Sequence, residues 1–210
     1  DTGDNPNNCC IKDPGGNFVV DNCVFTPTSG VGSQLFSVVY YTQGSFGGAT
    51  NGTGQGSLIK TCNFSNICTT TGYQIYVSTA SATGLLSIEN TTFGGTSQYK
   101  NVFNATSVAT TAQFILLFSN CNIANFNEKV VEVEGTSAIG ALKVSLTGCV
   151  VTAAAGSTGI GPVRATGGLV DVTGCRLSGP VSLRGARLVT GCVTGTTSTV
   201  VTTYPENQIS

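Results

Sequence analysis

Phe118-Ser-Asn-Cys121-Asn-Ile123 is one of seven versions of a single six-residue phrase. The others are Val20-Asp-Asn-Cys23-Val-Phe25, Ile59-Lys-Thr-Cys62-Asn-Phe64, Ile88-Glu-Asn-Thr91-Thr-Phe93, Leu146-Thr-Gly-Cys149-Val-Val151, Val172-Thr-Gly-Cys175-Arg-Leu177 and Val189-Thr-Gly-Cys192-Val-Thr194. Cysteine anchors six copies and Thr91 the seventh. The anchors step by 39, 29, 30, 28, 26 and 17 residues, an irregular period that lies mostly in the range of repeat architectures.

Three residues before the anchor the side chain is apolar in all seven copies, and two residues after it in six, Thr194 being the exception. Both positions suit a core, yet they differ in parity, so an unbroken strand would send them to opposite faces. A bend must separate them. The residue just before the anchor is Asn22, Asn90, Asn120, Gly148, Gly174 or Gly191, and Thr61 in the remaining copy. Asn and Gly tolerate left-handed backbone angles, which places the bend there. Each copy therefore reads as strand, one-residue bend, strand, with the anchor pointing inward.

Between the anchors lie short runs such as Phe114-Ile-Leu-Leu-Phe118, Val130-Val-Glu-Val-Glu134 and Leu142-Lys-Val-Ser-Leu146, separated by Gly, Ser, Thr and Asn. β-Branched residues dominate and no window holds a helical period. A β-sandwich also has many short strands, but it has no reason to place one residue type at the same bend seven times. A solenoid does, because equivalent positions of successive coils stack about 4.8 Å apart. The expected fold is all-β: a β-solenoid of about seven coils over residues 18–195. Residues 1–17 are expected to form an N-terminal segment making contacts between subunits, and 196–210 a tail able to act as an exchanged strand.

The strand, Asn-favouring bend and second inward strand resemble the second turn of right-handed parallel β-helices of the pectate-lyase-like superfamily. There stacked asparagines form a ladder, a place that the resemblance gives here to Asn22, Asn90 and Asn120. It implies a fold and no activity. Polygalacturonase-like members use aspartates with a His, and this chain has no His. Lyase members use clustered carboxylates with a calcium ion and a basic Arg or Lys, and no three carboxylates here fall at matching positions of adjacent coils.

Composition narrows the function further. The 210 residues include 28 Gly and only 9% charged residues, with a formal net charge of −1. That field is too weak to attract nucleic acid or an anionic membrane. No apolar run approaches the ~20 residues of a membrane span. Without imidazole, Ser-His-Asp and Cys-His nucleophiles and His-ligated zinc are closed. No cofactor, metal or catalytic residue is implied. The best acid/base pair is Glu132 with Glu134, about 6.5–7 Å apart on one strand face, and it reads more simply as the solvated side of an amphipathic strand. The opening Asp1-Thr-Gly-Asp4-Asn-Pro-Asn7 is rich in oxygen ligands but lacks calcium-loop spacing.

Nine cysteines without a C-x-x-C motif point to an oxidising, extracellular setting. Asn51, Asn63, Asn90 and Asn104 each begin an Asn-x-Ser/Thr glycosylation pattern. Stacked anchors would form a ladder of Cys23, Cys62, Cys121, Cys149, Cys175 and Cys192. Its spacing admits disulfides 23–62, 121–149 and 175–192, or a column of small apolar thiols. Cys9, Cys10 and Cys68 lie off the ladder. The odd total leaves a thiol for another chain, with Cys9 and Cys10 best placed to reach outward.

Charge is sorted along the chain. Residues 1–30 hold four Asp, Asp1 and Asp4 among them, against one Lys, a net of −3. Residues 135–205 hold Lys143, Arg164, Arg176, Arg184 and Arg187 against Asp171, a net of +4. An acidic end of one solenoid can meet the basic end of another, and head-to-tail contacts build a filament. The expected function is an extracellular structural protein assembling head to tail with copies of itself. The alternative is a carbohydrate-binding or adhesion module of a surface or viral attachment protein, and a polysaccharide-cleaving enzyme comes third.

Overall fold

The computed structural model describes residues 9–12, 17–25, 35–41, 45–47, 56–65, 68–77, 82–94, 98–105, 113–133, 142–153, 163–164, 169–179, 181–184, 186–194 and 200–203. Among them every regular element is a strand: β1 (Cys9–Lys12), β2 (Val19–Asp21), β3 (Leu35–Tyr41), β4 (Ser57–Lys60), β5 (Asn63–Ser65), β6 (Cys68–Val77), β7 (Gly84–Glu89), β8 (Thr92–Gly94), β9 (Tyr99–Ala105), β10 (Phe114–Ser119), β11 (Asn122–Val133), β12 (Leu142–Thr147), β13 (Val150–Ala153), β14 (Val163–Arg164), β15 (Leu169–Thr173), β16 (Arg176–Ser178), β17 (Val181–Arg184), β18 (Ala186–Thr190), β19 (Val193–Thr194) and β20 (Val200–Thr203).

All strand pairs are parallel, and they join residues one turn apart. The strands ahead of the bends form one seven-stranded sheet in strict chain order, β2-β4-β7-β10-β12-β15-β18. A ten-stranded sheet follows the path β1-β3-β6-β9-β11-β13-β16-β19, with β5 and β8 beside it, and β14-β17-β20 form a third. The twelve-residue β11 ties two sides of the coil together by turning at Asn125, whose φ is 59°. The chain is thus a parallel β-helix.

Four turns have a strand on all three sides within the two large sheets, from β3-β4-β5 to the end of β11 with β12 and β13. The end turns are less complete. The first has only the bridge Val24↔Asn63 on its third side, and the last two take one side from the small sheet. The expectation of about seven coils is met only if these are counted. The expected boundaries also shift. β1 lies in the segment placed before the helix yet pairs with β3, and β20 lies in the tail yet pairs with β17 of its own chain. Neither short run repeats the anchor phrase, so the repeat could not mark them.

The bend is where the sequence put it. Asn22, Thr61, Asn90 and Asn120 have φ of 53°, 54°, 47° and 52°, and Gly148, Gly174 and Gly191 have 63°, 61° and 62°. One hydrogen-bond pattern carries the ladder around the corner. The bend N–H donates to the carbonyl two residues before the next anchor, as in Asn120 to Thr147 (2.9 Å), and the N–H after each anchor donates to the previous anchor's carbonyl, as in Val150 to Cys121 (2.9 Å). These two bonds continue the ladder across the corner, which is what allows a one-residue bend to recur. The side chains of Asn22, Asn90 and Asn120 are exposed on the outer ridge, while the anchors face the core.

That core is stacked rather than interdigitated. Phe25, Phe64 and Phe93 lie face to face at 4.8 and 5.1 Å with interplanar angles of 12° and 7°. Phe46, Phe103 and Phe114 form a second aromatic group with centroids 5.4–6.3 Å apart. Register places the same residue class at the same height in each turn, and burial of such rings is the main stabilising term.

Candidate functional site

Three features concentrate chemistry: the anchor column, a polar strip on the ten-stranded sheet and the end turns.

All seven anchors repeat one contact. The Sγ–H of Cys23, Cys62, Cys121, Cys149, Cys175 and Cys192 donates to the carbonyl two residues earlier, at 3.3, 3.1, 3.4, 3.5, 3.4 and 3.5 Å. Thr91 Oγ1 does the same to Glu89 at 2.8 Å, which explains how Thr replaces Cys. Several thiols also reach the turn before: Cys121 to Ile88 O at 3.4 Å and Cys175 to Leu146 O at 3.5 Å. The expected disulfides 23–62, 121–149 and 175–192 are not formed, and all six are free thiols. Side chains that leave one bend in parallel donate to backbone carbonyls, and neighbouring sulfurs in the column meet as hydrogen-bond partners and not as a bonded pair. The six anchor cysteines therefore form a packed column of thiols.

Within the column the thiols perturb one another. The hydrogen bond with Cys121 pushes Cys149 up to about 12 from the ordinary 9.0. Cys175 is raised by its bond with Cys149 and by burial, and Cys62 is raised by burial. Cys121 moves down, because the bond with Cys149 favours its thiolate. Cys62, Cys149 and Cys175 are thereby held toward the protonated, less nucleophilic form.

The polar strip went unread in the sequence. Tyr73 and Tyr76 stack at 4.8 Å, Asn101 Nδ2 donates to Asn104 Oδ1 at 3.1 Å, and Lys129 is ion-paired with Glu132. These three pairs have the same spacing and occupy matching register on β6, β9 and β11. In a straight strand residues three apart lie about 10 Å apart on opposite faces. Here the backbone folds between them and buries both intervening residues, Gln74-Ile75, Val102-Phe103 and Val130-Val131. The signal was present as Tyr-x-x-Tyr, Asn-x-x-Asn and Lys-x-x-Glu at 28-residue steps, close to the anchor period. Tyr40 extends the strip by stacking on Tyr76 at 5.9 Å. Lys12 lies over Tyr40 at 6.0 Å, and Lys100 over Tyr73 at 5.4 Å, where its Nζ also donates to the phenol oxygen at 3.3 Å. Glu128 is 3.8 Å from Lys100. The amides of this row are fully buried and Tyr40 and Tyr73 nearly so, while Tyr76, Lys100 and Lys12 reach solvent.

Glu132, the carboxylate singled out for acid/base chemistry, is committed to Lys129. Its intended partner Glu134 lies outside the described residues, as do Asp1, Asp4 and Asn51. Arg176 is exposed on the outer row between Val150 and Val193. Arg164 and Arg184 are register partners on β14 and β17, and Arg187 is on β18, but their side chains lie outside the description. On β1, Cys9 is half-buried and Cys10 exposed, with burial raising the Cys10 thiol first and Cys9 second. Cys68 begins β6, and its side chain is outside the description. Among the described residues no group of three His, Cys, Asp or Glu is placed to hold a metal ion.

At the last turn the core column is open. The residue three before the anchor is fully buried at Ile59, Ile88, Leu146 and Val172, yet Val189 is 38% exposed. Cys192 beside it is half-buried. No family model, curated protein or solved structure matches the chain.

Proposed function

We propose that the chain is an extracellular structural subunit that lengthens by laying its last turn against the first turn of another copy. The exposure of Val189 at a position otherwise reserved for the core carries this reading. The first turn offers Val20, Cys23 and Phe25 at the three inward positions, the residue types that cover each preceding turn within the chain. Continuing the register would pair Gly191 N–H with Asp21 C=O, and Val24 N–H with Cys192 C=O, of successive copies. Negative-stain microscopy over rising concentration tests it. Threads are expected, and Val189→Arg should leave folded single particles. Compact particles of the unsubstituted chain at all concentrations overturn the reading.

The polar strip favours a second reading, a module that binds carbohydrate along the ten-stranded sheet. Tyr76, Lys100 and Lys12 are members of the strip that reach solvent, and phenol and ammonium groups suit hydroxyl-rich ligands. Binding on a glycan array that is lost with Tyr76→Ala and kept with Val189→Arg would select it over assembly.

A further inference from the structure

Three of the four Asn-x-Ser/Thr sites fall on described residues, and the fold treats them differently. Asn104 is 1% exposed and its carboxamide accepts from Asn101. A glycan there has no path to solvent. Asn63 is half-buried, and its Oδ1 accepts from Ser65 N at 2.9 Å and Ser65 Oγ at 2.5 Å, the third residue of its own pattern. Asn90 is the bend residue of its turn: φ is 47°, its N–H is bonded to Ser119 O at 2.9 Å, and its side chain is exposed on the outer ridge. Thr92, the hydroxyl residue of that pattern, points outward between Asn63 and Asn122, while Thr91 faces the core.

We infer that Asn90 is an N-glycan acceptor and that its ridge is the glycan-bearing edge of the solenoid. The inference rests on the extracellular reading. Asn90 Nδ2 attacks the anomeric carbon of an oligosaccharide carried on a lipid diphosphate. The C–N bond forms, the bond from that carbon to the phosphate oxygen breaks, one Nδ2 proton leaves, and the lipid diphosphate departs, with a membrane oligosaccharyltransferase as catalyst. Attachment precedes the end of folding, so the fold must accept the product. At Asn90 it does, because the backbone bonds of the bend use none of the carboxamide and the core lies on the other side of the chain. An oligosaccharide on this ridge covers the neighbouring Lys60 and Glu89 row and opposes side-by-side packing of solenoids. Both end turns stay clear.

The test secretes the full chain from eukaryotic cells behind an added signal peptide, then releases glycans with peptide N-glycosidase in heavy-oxygen water and reads the peptides by mass. Asn90 is expected to be converted and Asn104 unconverted. Asn90→Gly, the residue that three other turns use at this bend, should lose the glycan and keep the melting temperature. Val24→Thr completes the pattern at Asn22, an exposed bend residue of the same geometry, and should add a second glycan. A secreted, folded chain with an empty Asn90, or with a glycan on Asn104, overturns the assignment while leaving the extracellular reading intact. That reading is tested separately, by locating the chain in its own cells.

Discussion

At the residue scale two choices recur seven times: a residue that accepts left-handed angles, then one whose γ-atom donates back to the strand just left. They make separate predictions. Gly174→Asn should cost less than about 0.5 kcal/mol in urea unfolding, since a side chain there meets nothing within 4 Å and Asn serves the same bend elsewhere. Gly174→Val should cost about 1–3 kcal/mol, the strain of a β-branched residue at φ 61°. At the anchor, Cys149→Thr copies Thr91 and should be tolerated far better than Cys149→Ala, which leaves a void in the column and should cost about 1–3 kcal/mol. Ionisation adds a pH dependence. Cys62, Cys149 and Cys175 resist losing their protons when folded, so above about pH 9 the unfolded chain gives up protons that the folded chain keeps. Stability from these groups is complete below pH 9 and falls as pH rises toward 12, and the lowered Cys121 offsets part of the loss. Thermal unfolding between pH 7 and 10.5 should show this decline, and Cys149→Thr should flatten it. The bend and the inward anchor were legible because both are written in local residue types. The pairing of the thiols was not, because spacing alone admits a disulfide and only the contacts of each sulfur decide.

At the element scale, register turns local repeats into columns. The Phe25-Phe64-Phe93 stack predicts that Phe64→Ala, which removes the middle ring, costs about 3–5 kcal/mol. On β11 the Lys129–Glu132 pair is mostly shielded from water, so each partner compensates a charge that would otherwise be stranded. Lys129→Met alone should destabilise more than Lys129→Met with Glu132→Leu, a coupling of about 1–3 kcal/mol in a double-mutant cycle. Strands ahead of the bends could be read from the anchors. The fold within β6, β9 and β11 could not, because alternation predicts opposite faces for residues three apart and the evidence for a second bend was spread over 28-residue steps. The Lys129–Glu132 ion pair was hidden for the same reason, and Glu134 lies outside the described residues.

For the whole molecule, sheet order equals chain order, so the strands that carry Arg164, Arg176, Arg184 and Arg187 stack toward the last turns, while of the four N-terminal Asp only Asp21 is among the described residues, paired with Lys60 at 3.1 Å. The proposed end-to-end contact, in which the acidic N-terminal stretch would meet the basic last turns, would weaken when salt screens it. Sedimentation in about 0.05 M salt should show larger assemblies than in about 0.5 M, where the Debye length falls to a few ångströms. The seven-fold phrase made the architecture legible, whereas the incomplete end turns and the strands β1 and β20 lie beyond its reach. The measurement that tests the account most directly is time-resolved thiol alkylation of the native protein without reductant, read by peptide mass. Cys10 should react first and the half-buried Cys23 and Cys192 next, while Cys62, Cys121, Cys149 and Cys175 wait for unfolding and then all react. A disulfide-linked peptide among the six anchors, or Cys149 labelled as fast as Cys10, would contradict an inward column of free thiols.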